Sequence, residues 1–466
     1  MTIRRTLTIA LGTLALGLAV STAAAQQQQQ QQRPPNQTFC GDTGSKNPVI
    51  EPGIPPNLGY TPTDNGFDCH AWQVFIGLNW PALPGQRGMP NGNAKLGTPG
   101  TTVWETYKTL EQTYLPNAIN PGPWQDAPML LGAVPGDLAA QVASGQIRTL
   151  ARTSKISPRA VAQIARAQVD PAILRSITQA GGGTLYDQQK EPVYYEISMN
   201  QDQYNYIQQN GLYNAKTQLT FATTQTIALP GGVTQYGNES AVELKAAWKI
   251  LTEQEASSGR FHTAQALILG TSAIAQKPVT VGLVGLHIFQ MVGASAQGMW
   301  ATFAHDDNAP VAGFLGVPRG TFTFYNPNCQ PAPCAINNMS TNPTQVVQMF
   351  KDSADSVNAR MKAMLQAYGS GPWQYYKLIN VQWPQNPVLL SSLPVPAMIT
   401  LPLGNLNTDT LTNPVLETYQ QTQGTGCMAC HIYGTISSAQ TPPSQPGPQN
   451  ASSYSFSFGY AQVPPQ

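Results

Sequence analysis

A few dense apolar blocks stand out from long loop-rich stretches, and the spacing within each block predicts its element. Apolar residues from Asp64 to Pro81 are spaced for a short buried helix that Pro81 ends. Val103 to Gln112 reads as helical. From Gly136 to Ala180, Leu138, Val142, Ile147, Val161, Ile164, Ala165 and Ile173 recur near a helical period. Pro158 and Pro171 each fit the first turn of a new helix there. Gln201 to Leu212, rich in Tyr and Gln, predicts one more helix.

The middle of the chain changes character. Ala241 to Ile250, Arg260 to Leu269 and Val279 to Val292 are rich in apolar and β-branched residues and lack helix caps, so they read as strands. In the last, strict alternation puts Val281, Leu283, Gly285, His287, Phe289 and Met291 on one face. Val284, Leu286 and Ile288 fall on the other, which predicts a central strand buried on both sides. Thr344 to Tyr368 carries an apolar stripe running from Val346 and Val347 to Met364 and Leu365, with Pro343 before it and Gly369 after it. Asn413 to Gln423 reads as a late helix, with Asn413 as cap and Pro414 at its first position.

The expected fold is therefore α+β. It has a helical N-terminal half, central mainly antiparallel strands, and C-terminal helices ending at the chemistry described below. The globular region is expected over residues 40–435, open to division near residue 225. Residues 1–25 look like a cleaved secretory signal: basic Arg4-Arg5, an apolar run from Leu7 to Val20, then Ala23-Ala24-Ala25. Residues 26–39 form a Gln/Pro-rich spacer. Residues 436–466 are expected to be a flexible tail, because no charged residue occurs from Ile432 to Gln466 and Ser, Pro and Gln dominate.

Composition narrows the function classes. Charged residues make up 10% of the chain and the formal net charge is +1, with no dense basic run, so nucleic-acid binding is not expected. No later stretch is apolar for long enough to span a bilayer. Six cysteines in an exported chain should be paired unless they carry chemistry. Cys329 and Cys334 suit a local disulfide, and Cys40 with Cys69 would form a second.

The remaining two cysteines lie in Cys427-Met428-Ala429-Cys430-His431, the pattern of covalent c-type haem attachment. Two residues between the thiols let both sulfurs reach the two vinyl groups of one porphyrin. The adjacent imidazole then becomes the proximal iron ligand. A structural disulfide or a zinc site competes with this reading, but a two-residue loop is a poor staple and no second Cys-x-x-Cys is present. No Met, His, Cys or Lys follows His431, so a sixth ligand must come from upstream or the iron is five-coordinate. Of His70, His262, His287 and His305, we rank His305 and His287 as distal candidates ahead of Met291, Met299, Met398 and Met428. Asp306 and Asp307 either orient the His305 imidazole or form a turn.

Several further stretches are distinctive: Leu78-Asn79-Trp80-Pro81, Trp104-Glu105-Thr106-Tyr107, Trp300 to Pro310, Phe324-Tyr325-Asn326-Pro327, Gln382-Trp383-Pro384, and Leu416-Glu417-Thr418-Tyr419 ahead of Cys427. On these the chain resembles a group of large, uncharacterised bacterial cytochrome c family proteins with a single C-terminal haem motif. The resemblance spans most of the chain after its first 25 residues. It implies one covalent haem c and export to the periplasm or outside the cell, and it supplies no substrate. Electron transfer with a redox partner protein is the expected role. The alternatives are a haem enzyme with an open iron face, oxidase- or peroxidase-like, and a gas sensor.

Overall fold

The computed structural model describes residues 50–465 except 59–62, 130–133, 152, 154–182, 226, 233–238, 270–276, 294–296, 313–321, 330–333, 388–405, 433, 435 and 437–453. The expected signal, the spacer, Cys40, Pro158, Pro171 and Met398 lie outside the described residues.

Among those residues, eight strands make one curled, mixed sheet. They are β1 (Lys108–Thr109), β2 (Ile147–Leu150), β3 (Tyr194–Met199), β4 (Val242–Ile250), β5 (Thr263–Ile268), β6 (Val279–Gln290), β7 (Met299–His305) and β8 (Tyr376–Gln382). The path runs β1-β3-β4-β6-β5-β2, and β7 pairs with β6 and with β8. Only β2–β5 is parallel. The long β6 serves two neighbours on one edge. Val279–Gly282 pairs with β5, and Gly285–Gln290 pairs with β7.

These features correct the expected fold class. Among the described residues the helices do not make up a helical N-terminal half, because strands β1, β2 and β3 lie between them. Val103–Gln112 breaks into a three-residue 3-10 turn, β1 and a four-residue helix. The segment after Gly136 holds only the helix Ala139–Ala143 before β2. C-terminal helices are short: Asn413–Gln423 forms turns and one 3-10 turn at Thr418–Gln420, and the haem motif itself is the five-residue helix Cys427–His431. The strands also come from both sides of residue 225 and share a single sheet.

The helix Asp64–Leu78 starts where Thr63 accepts the Gly66 N–H at 3.1 Å. Its aromatic side chains pack on one face of the sheet: Phe75 stacks on Phe303 at 4.2 Å and Trp72 meets the same ring edge-on at 5.0 Å. Burying side chains of this size contributes about 1.5–3 kcal/mol each. His70 Nε2 meets Gln290 Oε1 at 2.9 Å on this face. The helix Asp355–Tyr368 joins the same core through Val357, Met361 and Leu365, and ends at Gly369 with φ 75°. It starts eleven residues later than Thr344, because Val346, Val347 and Gln348 spend their N–H groups on Phe324 O, Asn337 Oδ1 and Pro310 O.

A bulge in β6 decides what faces the other side. Ala247 pairs with Gly285 and Trp248 with Leu283, so Val284 has no partner on β4. The extra residue reverses the alternation. Val281 and Leu283 therefore share the helix-packed face with Leu286 and Ile288, while Gly285, His287 and Phe289 take the opposite face. The strict alternation expected from Val281 to Met291 fails at this one residue.

Candidate functional site

That opposite face presents two cross-strand rows. Ile197, Lys245 and His287 form one, and Glu243, Phe289 and Trp300 the next. Two late segments cover it. Gly285 admits the first: a Cβ there would lie 2.6 Å from Val415 Cγ2. Asn413 pins this segment by donating to Thr302 Oγ1 at 2.8 Å and to Phe303 O at 2.9 Å. These tertiary bonds, and the Tyr195 hydroxyl on Val415 O at 3.1 Å, hold 413–423 in turns rather than a regular helix.

Between sheet and cover lies a cavity enclosing about 1020 Å³, part of it open to solvent. Cys427, Cys430 and His431 line it together with His287, Glu417, Lys245 and Glu243. Phe289, Trp300, Leu411, Phe456 and Tyr460 supply apolar wall. Spacing explains how the motif reaches it: residues i, i+3 and i+4 share one face of a helix, and these are Cys427, Cys430 and His431. Gln382 at the end of β8 fixes the start of this helix by accepting the Met428 N–H at 2.8 Å.

Both thiols are free of disulfide bonding. Burial, reinforced by Glu417, pushes Cys427 well above the ordinary thiol range and Cys430 up to about 12. That is opposite to the lowered pKa of an attacking redox dithiol. Burial likewise lowers His431 to about 3, against the upward pull of its bond to Tyr454. Its Nδ1 donates to Tyr454 O at 2.7 Å, which leaves the Nε2 lone pair exposed as an acceptor or ligand. Nε2 takes no hydrogen-bond partner among the described residues. The ring rests against Trp300 at 4.3 Å and Phe456 at 4.8 Å.

Tyr454 belongs to the part expected as a flexible tail. Residues 454–465 instead pack: Tyr454, Phe458 and Ala461 are buried in the main core. Tyr454 adopts φ 62°, a left-handed conformation that costs on the order of 1–3 kcal/mol for such a residue. That turn presents its carbonyl to His431. Sequence reading missed this segment, although aromatics at every second position (Tyr454, Phe456, Phe458, Tyr460) marked it out from the polar run before it.

The two distal candidates separate. His287 lines the cavity, with Nε2 2.8 Å from Glu417 Oε1. His305 is not part of the wall, and both its ring nitrogens are engaged, Nε2 with Arg260 O at 3.1 Å and Nδ1 accepting the Asp307 N–H at 3.1 Å. Its ring stacks on Phe261 at 4.1 Å, so it is a satisfied core histidine. Asp306 pairs with Lys362 and Asp307 with Arg260. Met291 and Met299 are fully buried away from the wall, and Met428 sits in the core beneath the motif.

Cys329 and Cys334 form a disulfide with Cα atoms 5.8 Å apart. Cys69 is also disulfide-bonded, and its expected partner Cys40 lies outside the described residues. No helix among the described residues is long and apolar enough to cross a membrane. Nor does any group of three or more His, Cys, Asp and Glu side chains there form a site that could hold a metal ion by itself. No protein-family model, curated protein or solved structure matches the chain.

Proposed function

We propose that the chain is an exported electron-transfer protein that carries one haem c in the cavity over β3, β4, β6 and β7. The observation that carries this reading is the donor set. Two half-buried thiols free of disulfide bonding, and an imidazole with one nitrogen anchored and the other bare, line a single, mostly apolar cavity. Cys427 and Cys430 would hold the macrocycle through thioether bonds, and His431 Nε2 would bind the iron. A haem held there supplies a one-electron couple.

The chain's own residues account for the rest. Tyr454 O fixes the His431 tautomer and ring plane, as an outer partner of a metal-binding histidine does. Phe289, Trp300 and Phe456 exclude water from that side of the cavity. Gln382 and the Gly426 turn set where the attachment helix begins. The basic, apolar and small-residue pattern of residues 1–25 supports export to the periplasm or beyond.

Denaturing intact-mass measurement of the purified protein tests this. We expect the processed chain plus one haem, and replacing Cys427 and Cys430 by Ala should remove that mass. A bare chain, isolated from cells that attach haem to other proteins, would overturn the reading.

A further inference from the structure

His287 and His431 share an unusual arrangement. Both line the same cavity, both hold one ring nitrogen on an oxygen acceptor, and both leave the other nitrogen without a partner. In His431 the anchored atom is Nδ1, on Tyr454 O. In His287 it is Nε2, 2.8 Å from Glu417 Oε1, and Nδ1 is buried with no hydrogen-bond partner. An imidazole that donates to a carboxylate carries its proton on that nitrogen and its lone pair on the other. A buried acceptor left without a partner costs about 1–3 kcal/mol. A bound metal would remove that cost, and a carboxylate behind the ring is the arrangement that raises a ligand's basicity.

Resting on the haem reading above, we propose that His287 is the second axial ligand. The iron is then six-coordinate between two imidazoles, and Glu417 is the positioning residue for the distal one. Glu417 is itself placed for this. It accepts the Asn413 N–H at 3.0 Å, and Asn413 is tied to β7. The distal imidazole therefore comes from the rigid centre of the sheet, and its orienting carboxylate from the same cover segment that leads into Cys427. No other histidine in the described residues fits. His70 and His262 are absent from the cavity wall, and His305 has both nitrogens engaged. A second protein ligand closes the iron to small molecules, which favours a shuttle over an open-faced enzyme or gas sensor.

The test uses the full haem-loaded protein. Intact mass first establishes covalent haem; without it, both the haem reading and this ligand assignment fall. With haem present, wild-type protein should show low-spin absorption and electron paramagnetic resonance spectra, and its ferrous form should not change on adding carbon monoxide. His287→Ala should become high-spin and bind carbon monoxide, and added imidazole should return it to low spin. Glu417→Gln should stay low-spin, with a raised reduction potential because a negative charge near the iron is gone. A high-spin wild type that binds carbon monoxide overturns the ligand assignment and leaves the haem reading standing. So does a low-spin spectrum that persists in His287→Ala. A high-spin wild type overturns the assignment whether or not the variant folds, and His287→Met, which offers the iron a different ligand in the same place, should keep it low-spin with a raised reduction potential.

Discussion

The Tyr454 carbonyl accepts a hydrogen bond from His431 Nδ1 at 2.7 Å, joining the helix Cys427–His431 to a segment twenty-three residues downstream. That segment is anchored independently of the cavity. Gln462 O accepts the Ala215 N–H at 2.9 Å, its N–H donates to Tyr213 O at 3.1 Å, and Gln218 donates to Phe458 O at 3.0 Å. Phe458 is wholly buried. Phe458→Ala should therefore destabilise the protein by about 3–5 kcal/mol, read from urea unfolding. It should also lower the fraction of chains carrying haem, because Tyr454 and Phe456 lose their support. A change below about 1 kcal/mol would show that the segment is only loosely held.

Gly426 sits where the helix Cys427–His431 meets the end of β8. A Cβ at this position would lie 2.4 Å from Gln382 Nε2 and 3.1 Å from Asp409 O. Gln382 uses its other amide atom to accept the Met428 N–H, so Gly426→Ala must push that amide away or shift the helix. Loss of one buried hydrogen bond and a local repacking should cost about 1–3 kcal/mol. In the purified protein we expect a reduced haem-to-chain ratio. Gln382→Ala relieves the clash but leaves the Met428 N–H unbonded, so combining it with Gly426→Ala should cost less than the sum of the two single changes.

Legibility in the sequence followed how local each signal was. The helix Asp64–Leu78 and strands β4, β5 and β6 announced themselves, because a continuous apolar run with a defined stop depends on few distant contacts. β7 and β8 did not stand out. Thr302, His305, Lys377 and Asn380 interrupt their apolar pattern, and those polar groups find partners only across the fold, such as Asn413 on Thr302. Val346 and Val347 fit a helical stripe yet pair with Phe324 and Asn337, which sequence spacing alone does not reveal. Within the site, the Cys427–His431 motif was plain from spacing. Which of His287 and His305 lines the cavity depends on the register of β6 and β7, and the contact of Glu417 with His287 depends on the path of the cover segment.

Arg148 is a buried cation held from several sides. It makes a bidentate contact with Glu196 and lies 3.7 Å from Glu105. Its guanidinium sits 5.1 Å from the Trp104 ring and 5.5 Å from the Trp248 ring. Burial alone would raise the Glu105 carboxyl. The nearby His262 at 3.1 Å, Arg148 and the Thr102 N–H outweigh it and bring Glu105 down to about 2. Such a group stabilises the fold above its unfolded pKa and loses that contribution as pH falls toward its folded value. Unfolding free energy should therefore drop between about pH 4.5 and pH 2, measured by denaturant titration. Arg148→Met leaves two buried carboxylates without their cation. At neutral pH it should cost about 3–5 kcal/mol. A loss under 1 kcal/mol would mean that the cluster relaxes into water.

Asp68 predicts the opposite pH trend. It is 6% exposed within the helix Asp64–Leu78. Burial first, and then the neighbouring Asp64, push its carboxyl from the ordinary value up to about 7. The folded state thus holds the proton more tightly than the unfolded chain does. Stability from this group is complete below its unfolded pKa and is lost as pH rises through about 7. Asp68→Asn keeps the shape without the ionisation. It should match wild type near pH 4 and exceed it at pH 8, with a gain on the order of a few kcal/mol. Paired urea titrations at the two pH values measure the difference. If the variant and wild type ran parallel across that range, Asp68 would have to ionise in the folded protein at an ordinary carboxylate pKa.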